Sequence, residues 1–115
     1  MHDWRARVER ELEIAEAARA RGNEGMARVA ARRAAGWMVE EHLAQQGISL
    51  GTASVLDHIR YLLAQNPDPE IKPILEHMLV ALEKDDPRGE SYWPLEADLL
   101  AEARHLLAAL FPNLK

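Results

Sequence analysis

The sequence predicts an all-α fold, an antiparallel bundle of about five helices in one domain spanning residues 1–115. Three observations predict it. Apolar residues recur at three- and four-residue spacing in successive stretches, which is the period of a helix face. Capping residues, Gly and Pro stand where those stretches begin and end. No run alternates apolar and polar residues, and no hairpin turn signal separates such runs, so no strand is expected.

Asp3 caps a first helix that runs to about Arg21, with Trp4, Val8, Leu12 and Ala15 on one stripe. The Arg and Glu residues between them read as a solvated face with helix-compatible pairs such as Arg7–Glu11. Gly22-Asn23 is a tight connection, so the first two helices should form an antiparallel hairpin.

Residues 23–47 are the spine of the domain. Asn23 is the N-cap, Glu24 suits the positive end of the dipole, and Gly47 stops the helix. At about 100° per residue, Met26, Ala30, Ala34, Trp37, Met38 and Ala44 share a broad arc. Val29, Gly36 and Leu43 extend it, leaving Glu24, Arg28, Arg32 and His42 as the polar stripe. So wide an arc predicts cover on most sides and a largely buried Trp37. Gly36 is either tolerated or there to let another helix approach. Arg33, Glu40 and Glu41 interrupt the arc, and a buried unpaired charge is costly. They are either rim residues that snorkel to water or, with Trp37, a polar seam between two copies of the chain.

Residues 47–51 form a loop whose Ile48 and Leu50 can tuck onto the core. Ser54 and Asp57 fit a capping box ahead of Val55, Leu56, Ile59, Leu62 and Leu63. That helix ends at Asn66-Pro67, and Asp68-Pro69 restarts the chain. Pro73 either marks the true start of the fourth helix or distorts its first turn. Ile74, Leu75, Met78, Leu79 and Leu82 make the fourth stripe, broken by Asp85-Asp86-Pro87. Pro94 opens a last helix carrying Leu95, Leu99, Ala103, Leu106, Leu107 and Leu110, and Pro112 ends it.

The chain carries a formal charge of −5, and all of the excess acid follows Gln46. That is a poor default for nucleic-acid binding, where phosphate contacts dominate affinity. Cysteine is absent, which removes disulfides and thiolate chemistry. No apolar run reaches the length of a membrane span and no signal core is present, so a soluble cytoplasmic protein without membrane partners is expected.

Few residues invite chemistry. Arg28 and Arg32, one turn apart with Arg21 nearby, are a phosphate patch or solvated charges. Arg88, Tyr92 and Trp93 sit in a polar, aromatic loop, where the rings could stack on a base or lid the bundle end. Glu102-x-x-His105 has the spacing of a carboxylate-bundle metal pair, but a second such pair is missing. No metal or cofactor is expected, and no phosphate-cradling loop or nucleophile elbow occurs.

Several stretches resemble the HEPN domain family. Residues 26–47 resemble its second helix, which is Ala-rich with paired polar residues in mid-course and a terminal Gly. Arg32-Arg33 stand at the paired positions, Gly36 where the family has Glu, and Glu40 where it has Lys. Residues 54–63, SVLDHIRYLL, resemble its short His-led helix, with His58 one place beyond the usual histidine. Residues 88–94 resemble its arginine and tyrosine-proline segment, and residues 96–107 its final helix. Many HEPN proteins are RNases whose mark is an Arg followed four to six residues later by His. That motif is absent, since Arg33 lies too far from His42 and Arg104 adjoins His105. The resemblance therefore implies a non-catalytic, homodimeric binding module that partners a nucleotidyltransferase or binds nucleotide or RNA. A divergent RNase or toxin component is the alternative, and a metal-binding bundle a further one.

Overall fold

Asp3 and Asn23 each accept a hydrogen bond from a backbone N–H three residues on, at 3.0 and 3.1 Å, and start the first two helices where expected. The computed structural model describes residues 3–52, 54–83 and 98–112. Five helices follow in order: α1 Trp4–Ala20, α2 Glu24–Gln45, α3 Val55–Ala64, α4 Lys72–Glu83 and α5 Leu99–Leu110. No strand occurs among the described residues.

α1 and α2 end alike. Gly22 and Gly47 adopt φ of +78° and +77°, a conformation that only a residue without Cβ takes cheaply. The following N–H groups, of Asn23 and Ile48, reach back to Ala18 and Leu43 at 2.8 and 2.9 Å. With the glycine N–H bonds to Arg19 and Ala44, both ends satisfy carbonyls that the helix leaves orphaned. The first turn reverses the chain into the expected α1–α2 hairpin. The second delivers Ile48 and Leu50 onto the core, as expected.

Pro73 falls at the second residue of α4, where a helical N–H has no partner to lose. Residues 69–71 form a turn before it, held by bonds from Ile71 and Lys72 N–H to the Asp68 carbonyl. α5 differs from expectation. Its N-cap is Asp98, which accepts from Ala101 N–H at 3.1 Å, so the helix starts at Leu99. Pro94 and Leu95 lie outside the described residues.

α2 is the centre, touching all four other helices. Cover on most sides is observed, but the phase needs correction. Ala27, Ala30, Ala31, Ala34, Ala35, Met38, Val39 and Leu43 are buried. Met26 and Ala44, placed on the apolar arc, are exposed, and Trp37 is half-buried. Arg32, assigned to the polar stripe, is buried with 8% exposure. The exposed strip is instead Met26, Arg33, Glu40 and Ala44, with Trp37 at its edge. In an Ala-rich helix the polarity contrast between faces is weak, so neighbouring helices set the phase. Gly36 does mark a close approach: a Cβ there would lie 2.6 Å from Val55 Cγ2 at the start of α3.

Candidate interaction face around Trp37

The hairpin turn decides what stands beside Trp37. Residues equally far from Gly22 face each other across α1 and α2, which pairs position 7 with 37 and 11 with 33. Arg7 accordingly lies over the Trp37 ring, its Cζ 4.9 Å from the centroid. A guanidinium above an indole is attracted by the ring quadrupole. The expected Arg7–Glu11 pair does not form. The pair along α1 is Arg5–Glu9, at 3.1 Å.

Glu11 turns towards α2, where its Oε2 is buried without a hydrogen bond and lies 3.8 Å from Arg33 Nη1. The contact is long, so it acts through Coulomb attraction. Arg33 neutralises the carboxylate while keeping 55% of its side chain exposed. This is the snorkelling arrangement, with the stem over apolar surface and the head at the water boundary.

On the far side of Trp37, Val55 sits against Gly36. Arg33, Gly36, Trp37, Glu40 and Val55 line a cavity of about 170 Å³ at the α2–α3 seam. That is close to an engineered cavity of about 150 Å³ that accepts one benzene ring. The walls are an indole, an isopropyl group and bare backbone, with a cation at one end and a carboxylate at the other. Such a hollow suits one apolar or aromatic group flanked by polar contacts. Glu40 is exposed and has no ion pair or hydrogen bond among the described residues.

Three of the four residues expected at an interface, Arg33, Trp37 and Glu40, thus meet at one hollow. Glu41 does not line it; its Oε2 accepts from Gln45 Nε2 at 3.0 Å, one turn along α2. Nothing local in the sequence marks Arg7, Glu11 and Val55 as members of the face. The Arg7–Glu11 spacing resembled a local pair and hid their alignment with Trp37 and Arg33.

The other candidates do not gather. Arg28 is half-buried and Arg32 buried, so they are not the exposed pair that a phosphate patch needs. Arg88, Tyr92 and Trp93 lie outside the described residues. His58 is buried, and its Nδ1–H donates to the Ser54 carbonyl at 2.7 Å, which fixes its tautomer. Glu102 and His105 point to different partners. His77 Nδ1 donates to Glu102 Oε2 at 2.8 Å, and His105 Nε2 donates to Glu70 Oε1 at 2.7 Å. Both bonds tie the α4 region to α5. Among the described residues no three His, Asp or Glu side chains are grouped to hold a metal ion.

A second hollow, of about 350 Å³, is lined by Glu70, His105, Ala108, Ala109 and Pro112. No helix among the described residues is long and apolar enough to cross a membrane. Comparison with protein-family models, curated proteins and solved structures gives no match.

Proposed function

We propose that this chain is a non-catalytic binding module resembling HEPN domains, and that its working surface is the α2 strip around Trp37. The observation that carries this is the cavity lined by Arg33, Gly36, Trp37, Glu40 and Val55. It combines a tryptophan with an arginine, two residue types enriched at the hot spots of protein interfaces, and carries a carboxylate beside them. None of the residues that line it is a Ser, Thr, Cys or His. His58, the histidine nearest the family's catalytic position, has one ring nitrogen committed to the backbone. The resemblance supplies the partner classes: a second copy of the chain, a nucleotidyltransferase, or a nucleotide or RNA.

The test of the non-catalytic reading is direct. Purified chain is incubated with tRNA and mRNA, with and without chelator. Intact RNA is the expected result. Metal-independent cleavage that disappears in His58→Ala would overturn the reading and identify a divergent RNase. The same protein, with Trp4→Phe and Trp93→Phe, leaves Trp37 as the sole tryptophan, and its emission reports whatever occupies the face.

A further inference from the structure

The hollow at the α2–α3 seam is lined by one cation and one carboxylate with apolar groups between them. Arg33 and Glu40 stand on one line of α2, almost two turns and about 10 Å apart along its axis. Gly36 and Trp37 lie between them in the helix, and Val55 of α3 lines the other side. Arg33 pairs with Glu11 rather than with Glu40. The Glu11 contact is a single long one, at 3.8 Å from Nη1, and a guanidinium carries five N–H donors. Donors therefore remain for a second carboxylate. Glu40 is exposed and has no partner among the described residues.

We propose that this hollow binds a small ω-amino carboxylate, a molecule with a carboxylate and an ammonium at opposite ends of a short apolar chain. The carboxylate meets Arg33, the ammonium meets Glu40, and the chain lies against Trp37 and Val55. This rests on the binding-module reading above and names the ligand class of its face. Charge argues for it first. The two ionised residues that line the hollow sum to zero, so a neutral molecule with separated charges satisfies both. A simple anion leaves Glu40 uncovered, and a simple cation leaves Arg33 uncovered. Spacing argues next. In an α-amino acid the two charges share one carbon, too close together to reach both ends of the hollow, so a spacer is needed. The walls then favour an apolar spacer, since an indole and an isopropyl group gain from removing methylenes from water. Size sets the upper limit. About 170 Å³ is close to a cavity that accepts one benzene ring, which suits a short chain and is far too small for a nucleotide.

The experiment is calorimetric titration of the full chain with ε-aminocaproate, compared with caproate, hexylamine and glycine, which each lack one charge or the spacer. ε-Aminocaproate should bind once per chain, caproate and hexylamine about tenfold more weakly or worse, and glycine not measurably. Glu40→Gln, at an exposed position with no partner to lose, should bring ε-aminocaproate down to the level of caproate. Glu40→Lys should turn the preference to adipate, which carries a carboxylate at each end. Nα-acetyl-lysine separates two sources of the same chemistry: tighter binding than ε-aminocaproate assigns the hollow to a lysine at a peptide's C-terminus, weaker binding to a free molecule. No saturation by ε-aminocaproate up to about 10 mM, caproate binding as tightly, or an unchanged affinity in Glu40→Gln would each overturn the proposal. A response to ATP or an oligonucleotide, or a dimer in sedimentation, with no heat from ε-aminocaproate would also overturn it and give the face to that occupant. The binding-module reading would then survive; only RNA cleavage removes it.

Discussion

His42 is held against its own protonation. It lies half-buried in the last turn of α2, with its ring edge-on to Phe111 at 6.2 Å between centroids. Burial lowers its pKa below the usual 6.5 and outweighs the helix C-terminus, which by itself would favour the cation. The unfolded chain therefore binds the proton more readily than the folded one. Stability from this residue is complete above about pH 6.5 and falls as pH drops through the lowered value. Urea midpoints should decrease between about pH 7 and 5, and His42→Gln should flatten that slope. An unchanged slope would show that another group sets it. Arg33 makes the second case. Arg33→Met removes the cation that faces the buried Glu11 oxygen and should cost about 1–2 kcal/mol, at the low end because the guanidinium is more than half exposed. Adding Glu11→Leu should recover most of the loss, and no recovery would mean Arg33 acts through packing alone. The sequence showed that Arg33 breaks an apolar arc. It could not show that Glu11 is the reason, because local spacing offered Glu11 to Arg7.

At the scale of elements, the caps of the first three helices and the buried stripes of α1 and α5 are legible, while the start of α5 and the phase of α2 are not. Asp3, Asn23, Gly22, Gly47 and Ser54 act on neighbours within a few residues, so their effects are written locally. Which side of α2 is buried depends on where α1, α3 and α5 land. Ala at so many positions gives little contrast to read. Arg32 was lost this way: its polarity placed it on the surface, while the fold buries it. Gly36 shows the same division, since the sequence left two explanations open and the α3 contact decides between them. Gly36→Ala gives an Ala Cβ at 2.6 and 2.8 Å from the two Val55 methyls and 3.2 Å from its Cβ. Val is stiff about χ1, so rotation cannot clear all three. Overpacking of about 1–3 kcal/mol should exceed the gain of about 1 kcal/mol in helix propensity. Gly36→Ala should therefore melt at lower temperature than wild type, and Val55→Ala added to it should restore part of the difference. A melting temperature at or above that of wild type would mean that α3 shifts freely on α2.

At the scale of the whole molecule, one arginine joins three helices. Arg19 near the end of α1 donates Nε to Glu24 Oε1 at 2.8 Å, at the start of α2. It also donates Nη2 and Nη1 to Asp98 at 2.9 and 3.2 Å, at the cap of α5. The bonds to Glu24 and Asp98 hold the guanidinium firmly in its charged form. Far along the chain, α5 returns to this corner, and at its other end Phe111 packs on Trp4 at 4.4 Å between centroids. Its middle is tied to α1 by Arg104 and Glu16. So α5 runs alongside the hairpin, anchored at both ends. The hydrogen bond from Arg19, then that from Ala101 N–H, holds the Asp98 carboxyl below the usual carboxylate range. A lowered carboxylate stabilises the fold above its unfolded pKa, and the contribution disappears as pH falls through the folded value. Asp98→Asn keeps the cap, since Asn caps as well as Asp, but loses the ion pair. At pH 7 it should cost under about 1 kcal/mol, because the pair is roughly half exposed and screened. Asp98→Ala loses the cap too and should cost about 0.5–2 kcal/mol more. In acid, once pH falls below the lowered value, wild type and Asp98→Asn should converge, because the protonated acid then resembles the amide, while Asp98→Ala stays weaker than both. Urea melts at the two pH values measure this, and a wild-type to Asp98→Asn gap that does not narrow in acid would show that the Arg19 bridge contributes nothing to holding α5 on the hairpin.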